Sequence, residues 1–442
     1  MDRPERDQKV RFPEAFRFVI LLAAPLILLS GCVTIPAAQQ KVRMSAEAGD
    51  YAGAAQSLEN SRKDYGARSR YLFLLEKGLL LHLEGKYRES TDAFEQARRR
   101  YEELYTKSLS GIAASLVLTD YSMDYRGEDF ERVLLNVFQA LNYVMLGEYD
   151  EARVEARDAD ARLAAINSKY PEKQKNVYRE DAFCRLLMGL LYEASRHPED
   201  ADDACLWFKQ AFQTYDTDYR SQYRTDPPSF LKEKNNSCPS SLPVALRPAE
   251  IYVIQYAGFS PQKEEVVVPV PLLNGYVSSI AFPRYSLRPS RIVSSRLVAR
   301  NAKGGSFTAK AEVGEDIGAI AVKNLEDRKV RAIARAAVKA AVKYVAVQAQ
   351  EKSVAKHNDS NGVDIFRLLS SLYFLSTNRA DLRSWQTLPE KIMITRLALD
   401  PGEYTLEFVS TDATGAAAQT VALGKAVLVP AEKKFYIVRT PL

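Results

Sequence analysis

Between residues 42 and 215 the apolar positions recur at intervals of three and four, as at Leu72, Leu75, Leu79 and Leu83. That period puts one apolar stripe on each of a succession of amphipathic helices. A short phrase recurs within the region. Ala48-Gly49-Asp50-Tyr51 precedes Ala54 and Leu58. Glu84-Gly85-Lys86-Tyr87 precedes Ser90, Ala93, Phe94 and Ala97. Leu146-Gly147-Glu148-Tyr149 precedes Ala152 and Ala156. Each time a glycine ends one helix and a tyrosine two residues on opens the next. Small residues follow where two helices must approach closely. Asp202, Ala204, Phe208, Ala211 and Phe212 have the look of a further second helix.

The phrases lie 36 and 62 residues apart, close to one and nearly two periods of about 34 residues. The pattern resembles a degenerate tetratricopeptide repeat. It predicts an α-solenoid over 32–215, whose stacked helix pairs would build a curved surface suited to a partner. Residues 216–248 lose this periodicity. They contain Asp226-Pro227-Pro228 and Asn235-Asn236-Ser237-Cys238-Pro239 and read as a linker. From Glu250 the pattern changes to β-branched and aromatic runs, at 251–256 and 265–270. Further strands are expected at 291–300, 306–313, 391–399, 403–409, 420–429 and 435–440, with a turn at Asp400-Pro401-Gly402. An alanine-rich helix over 329–350 and a shorter one over 365–375 interrupt them. The expected fold class is multidomain, α then α+β. A β-sandwich-like domain fills 249–442, with a helical insertion at about 326–376.

The start of the chain is different again. Five basic and four acidic residues precede the apolar run Phe18–Leu29, which is broken by Pro25. The run is shorter than the ~20 residues of a spanning helix and suits the core of a secretory signal. Leu29-Ser30-Gly31-Cys32 follows it and looks like a bacterial lipobox. Small residues let an extended chain enter a peptidase cleft, and the thiol would take a diacylglycerol as a stable thioether. Residues 1–31 are thus expected to leave as a signal peptide. Cys32, acylated by chains such as palmitate, would be the first mature residue and the membrane anchor. An uncleaved anchoring helix is the alternative. Val33 follows the cysteine, where an aspartate would favour the inner membrane. The expected location is therefore the outer membrane, on its periplasmic face.

The chain carries 61 basic and 56 acidic side chains, and without residues 1–31 the balance is +4. That is too mild to imply nucleic acid. Cys184, Cys205 and Cys238 remain after the leader. Cys184 and Cys205 flank a helix turn at His197-Pro198, so an oxidising compartment could pair them. The other reading makes them two small core residues, with Cys238 alone in the linker. His82, His197 and His357 have no partner at metal-ligand spacing, and no metal or cofactor is expected. No GxSxG, HExxH, P-loop or GxGxxG sequence occurs. The Ser-x-x-Lys matches at Ser260/Lys263 and Ser353/Lys356 lack the accompanying Ser-Asp-Asn and Lys-Thr-Gly. No catalytic residue is assigned. Arg331, Arg335, Lys339 and Lys343, spaced by four, form one basic stripe on the long helix. They suit an anionic partner, or else mark the solvated side of a core helix. The stretch 378–389 holds Arg379, Asp381, Arg383 and Trp385. It would be a recognition loop, or a loop fastened by Asp–Arg pairing over a buried Trp385.

Several phrases together resemble a family of uncharacterised proteobacterial outer-membrane lipoproteins. They are the lipobox, the repeat half, 255-QYAGFSPQK-263, 381-DLRSWQTLP-389 and Pro401-Gly402-x-Tyr404-x-Leu406. The resemblance covers most of the chain and supplies no catalytic residues. Its members tend to be encoded near lipoproteins that activate penicillin-binding proteins, which implies a place in envelope or peptidoglycan assembly. The expectation is a non-enzymatic, lipid-anchored adapter binding an envelope protein. An envelope enzyme with an unfamiliar site is one alternative. A module binding anionic lipid or polymer through helix 328–350 is the other.

Overall fold

The three Gly-x-Tyr phrases sit at three helix-to-helix turns. The computed structural model describes residues 34–106, 123–168, 178–195, 197–238, 243–288, 290–356 and 360–441. The expected leader and Cys32 lie outside them. The turns join α1 (Thr34–Glu47) to α2 (Tyr51–Asn60), α3 (Arg70–Leu83) to α4 (Tyr87–Thr106), and α5 (Asp129–Leu146) to α6 (Tyr149–Ser168). Gly49, Gly85 and Gly147 take φ of +78°, +75° and +78°, which a side chain would disfavour. The next amide reaches back across each turn: Asp50 to Ser45 O at 3.0 Å, Lys86 to Leu81 O at 2.9 Å, Glu148 to Tyr143 O at 2.8 Å. This is one capping arrangement used three times. A fourth pair follows, α7 (Ala182–Ala194) and α8 (Ala201–Thr214). A β-carbon on Gly78 would fall 2.5 Å from the Phe94 ring, and one on Gly189 2.5 Å from Phe208. Glycine is what lets α3 meet α4, and α7 meet α8, at that separation.

The described residues of the 216–248 stretch, read as a linker, open with packed structure. A π-helical turn Tyr215–Tyr219 leads through a short turn to α9 (Ser229–Ser237). The expected pairing of Cys184 with Cys205 is not formed. Cys205 is bonded to Cys238 at the end of α9, with 5.4 Å between Cα atoms. Cys184 is a buried free thiol that donates to Ala156 O at 3.0 Å. The antiparallel α7/α8 pair explains the error. Gly189 faces Phe208, so Cys205 lies opposite the last turn of α7, whereas Cys184 lies in its first turn, about 12 Å farther along at 1.5 Å per residue. That exceeds a disulfide's Cα reach. Lys234 of α9 ties the segment to the sheet, bonding Glu193 at 2.6 Å and Glu250 at 2.9 Å.

Ten strands follow among the described residues: β1 (Ala249–Ala257), β2 (Gln262–Pro271), β3 (Val277–Ser286), β4 (Ser294–Asn301), β5 (Ser306–Lys310), β6 (Glu312–Asp316), β7 (Lys391–Leu399), β8 (Gly402–Thr411), β9 (Ala417–Leu428) and β10 (Lys433–Thr440). Helices α10 (Ile317–Val354) and α11 (Ser360–Thr377) stand between β6 and β7. The helix thus begins earlier than the expected insertion at 326. The strand β3 was not foreseen. One sheet has the order β10-β1-β7-β6, with β1 parallel to β10. The other, β5-β4-β8-β9, is antiparallel, and β2–β3 is a separate hairpin. The architecture is α then α+β.

Strand β1 explains how the layers join. Its Tyr252, Ile254 and Tyr256 pack into the core beneath the helices. Its Ala249, Ile251 and Val253 pack into a second core with Leu297, Leu406 and Phe408 of the other sheet. A strand buried on both faces shows no polar alternation, as 251–256 does not. The helices, the mixed sheet and the antiparallel sheet therefore form three layers around β1.

Candidate functional site

The segment 378–390 between α11 and β7 has no regular structure, yet it is among the most buried parts of the chain. Trp385 is 1% exposed, and its ring meets Phe94 and Phe138 edge-on at 5.9 and 5.8 Å. Its backbone amide donates to Glu131 at 2.8 Å. Arg383, 2% exposed, closes a ring on Asp381 through Nε at 2.9 Å. The same guanidinium donates to Ser69 Oγ at 3.2 Å and Met123 O at 3.0 Å. Arg379 pairs with Glu265 at 3.1 Å. As placed, Trp385 offers no surface to a partner, Arg383 reaches only a polar cleft, and Arg379 alone of the three is exposed. The fastened-loop alternative describes their geometry; recognition by an exposed tryptophan does not.

What fastens the loop is a set of buried charges on the helices and β2. Glu128 and Glu131 cap α5: the Glu131 carboxylate accepts from the Glu128 amide at 2.8 Å and from the Tyr125 hydroxyl at 2.6 Å. The Lys263 ammonium reaches Glu128 at 2.6 Å and Arg383 O at 3.1 Å. Arg328 of α10 reaches Glu128 at 3.0 Å and also pairs with Asp129. Burial would raise the Glu128 carboxyl, but Lys263 and Arg328 outweigh it and hold it at about 2. Burial likewise opposes the Lys263 charge, and Glu128 reverses that, keeping the ammonium protonated above its usual range. Burial, with Glu128 nearby, raises Glu131.

Two further buried groups sit alongside. Glu76 of α3 accepts from Gln39 and from the Gln386 amide, each at 3.2 Å. Burial pushes its carboxyl up to about 7 against these bonds. His82 bridges the helices to β1. Its Nε2 accepts from Tyr256 Oη at 2.8 Å and its Nδ1 donates to Asn142 Oδ1 at 2.6 Å. This tautomer follows because Asn142 Nδ2 donates onward to Ser90 Oγ at 2.9 Å. Burial lowers the imidazole to about 4.

A polar cleft of about 230 Å³ opens beside this network. Gln39, Gln40 and Arg43 of α1 face Gln262 and Lys263 of β2 and Leu382, Arg383 and Gln386 of the loop. No carboxylate, histidine, serine or cysteine lines it. Its lysine is held by Glu128, and a protonated ammonium is not a base. The cleft can donate hydrogen bonds; it does not assemble a nucleophile and base. The Ser260/Lys263 match is no exception. Ser260 Oγ bonds Trp385 O at 3.4 Å while Lys263 serves Glu128. Among the described residues no cluster of three His, Cys, Asp or Glu could hold a metal.

The basic quartet of the long helix is not one solvent-facing row. Lys343 is buried, its ammonium on Asn378 Oδ1 at 2.7 Å and over the Tyr373 ring. Lys339 is half-buried, and the side chains of Arg331 and Arg335 lie outside what is described. Periodicity alone missed Glu76, Glu128, Glu131 and Lys263. The one usable signal was a pair of glutamates three apart, Glu128 and Glu131, at the opening of the apolar helix that ends at Leu146, a variant of the capping box. No family model, curated protein or solved structure matches the chain.

Proposed function

We propose that the chain is a lipid-anchored, non-enzymatic adapter of the bacterial envelope. It is tethered through Cys32 to the outer membrane, faces the periplasm and holds a protein partner in envelope assembly. Its helical half is a tetratricopeptide-like solenoid. The observation that carries this reading is the Gly-x-Tyr cap repeated at three turns, each followed by buried alanines: Ala54, then Ala93 and Ala97, then Ala152 and Ala156. Repeated helix pairs are a binding scaffold more often than a catalytic one. The lining of the cleft weighs against the enzyme alternative.

In the three later pairs the first helix is unavailable to a partner. α3, α5 and α7 are buried almost all round, beneath β1 and the Trp385 loop. The partner surface is therefore the outward side of the second helices α4, α6 and α8, where Val154 and Leu206 are exposed. The test compares the native chain with Cys32→Ala in the host, by membrane fractionation and periplasmic crosslinking with mass spectrometry. The wild type should sit in the outer membrane with one reproducible envelope partner, and the variant should lose both. A wild type without lipid, or anchored but capturing nothing, contradicts the proposal.

A further inference from the structure

Helix α11 is built inside out. Ile365, Leu368, Leu372 and Leu375 recur at three and four, share one stripe and are all exposed, Leu368 at 61%. The opposite side carries buried Phe366, Ser370 and Phe374. Serine inside and leucine outside reverses the usual arrangement of a surface helix. Helix α10, about 57 Å long at 1.5 Å per residue, behaves likewise. Val330, Val338 and Val345 are exposed, Val330 at 77%. Ala334, Ala341 and Ala349 are exposed on the same side. These six are spaced 4, 4, 3, 4 and 4. An eleven-residue period keeps such a stripe nearly straight along a helix.

The inner sides of both helices close on the β2–β3 hairpin. Tyr276 stacks edge-on to Tyr344 at 5.6 Å and donates to Glu351 at 3.0 Å. The Val277 amide donates to Ser371 Oγ at 3.1 Å. Only the base of α10, at Ile317, Ile320 and Ala321, enters the main core. The two helices and the hairpin are thus an arm fixed at one end. Its outward apolar surface is too continuous to be incidental.

Charge and position identify what covers that surface. Segment 317–377 carries ten basic and five acidic side chains, which is the whole positive excess of the chain. Two such arms would repel one another, whereas an anionic surface would attract them. Lys352 and Lys356 are exposed at the far end of the valine stripe and on its side of the helix. The foot of the arm also adjoins helix α1. Arg43 of α1 bonds Gln262 at the start of β2, and Ile35 and Ala37 share the cleft with Leu382. Helix α1 begins at Thr34, two residues after Cys32, so an acyl anchor there would hold a bilayer beside that foot.

We infer that the α10–α11 arm lies on an anionic phospholipid surface, with its valine and leucine stripes in the headgroup boundary and its lysines at the phosphates. The choice of a bilayer over a second copy of the chain rests on the anchored reading of Cys32. Together the two contacts would fix the orientation of the molecule on the membrane.

The test uses the full protein as isolated from its host, added to vesicles of phosphatidylethanolamine and phosphatidylglycerol. An environment-sensitive fluorophore is placed on Leu372→Cys, or on Lys425→Cys in the far sheet as a control. Cys184 is buried and Cys205 is paired with Cys238, so both are shielded from the label. The label at 372 should shift to the blue and lose at least half its intensity to doxyl-labelled lipid, while the label at 425 does neither. Adding Leu368→Asp should abolish the quenching at 372 without changing the circular dichroism. An unquenched label at 372 on vesicle-bound protein overturns the inference. So does shielding without quenching in protein that sediments as a dimer. Failure of the anchored reading shows separately, as an isolated chain whose mass lacks acyl groups. The labelling is then repeated in a Cys32→Ser background, so that the label sits at 372 alone and its quenching still decides whether the arm meets lipid.

Discussion

His82 and Glu76 titrate in opposite senses across one pH window. The fold holds the imidazole at about 4 against an ordinary 6.5, so it favours the neutral ring. That stabilisation is complete above 6.5 and is lost as pH falls towards 4. The fold holds the Glu76 carboxyl at about 7 against 4.5, so it favours the protonated acid. That stabilisation is complete below 4.5 and is lost as pH rises through 7. Between about 4.5 and 6.5 the two slopes cancel. Glu76→Gln removes one of them. Relative to the wild type, its unfolding free energy should fall by about 1.4 kcal/mol for each pH unit of acidification from 6.5 to 4.5. Urea titrations at four pH values measure this, and parallel curves for the two proteins would contradict it. Trp385→Ala should cost about 3–5 kcal/mol, because it empties a site between Phe94 and Phe138 that the loop backbone cannot refill. A loss below 1 kcal/mol would mean that the loop is not clamped as described. A loop fastened by Asp–Arg pairing over a buried Trp385 was one of the two readings the sequence allowed for 378–389, and it is the one the burial of Trp385 and the Arg383–Asp381 pair match. The buried carboxylates were not legible, because in the sequence they look like any other helix charges.

Helices and most strands were legible because their signals are local. The Gly-x-Tyr phrases encode a left-handed cap within a few residues, and each of the three lies at a turn between helices. Strand β3 was missed because Ser278, Ser279, Pro283 and Arg284 dilute its pattern, and its support comes from α10 and α11 rather than from its own alternation. The disulfide was misassigned because spacing along the chain cannot say which ends of two antiparallel helices face each other. Peptide mapping of the oxidised protein should recover a Cys205–Cys238 link and no Cys184–Cys205 link. Cys238→Ser should lower stability by about 3–4 kcal/mol, the value for closing a loop of that length, whereas Cys184→Ser should leave the link intact. Recovery of a Cys184-containing link would refute the packing of α7 on α8.

Strand β1 serves two cores, and the 216–248 segment is pinned to the sheet by Lys234 and Glu250. The halves are therefore not independent bodies on a tether. Far-ultraviolet circular dichroism, which reads mainly the helices, and the fluorescence of Trp385 in a Trp207→Phe background should follow one coincident urea transition. Two separated transitions would show that the helical layer folds without the sheet. The role proposed for the whole molecule, in both its adapter and its membrane-lying aspects, depends on the chemistry of one residue. The direct measurement is the intact mass and N-terminal fragmentation of the mature protein taken from its native membrane. A chain beginning at Cys32, with a diacylglycerol thioether on its sulfur and an acylated amine, is the predicted result. A chain still carrying residues 1–31, or beginning elsewhere with Cys32 unmodified, would contradict it.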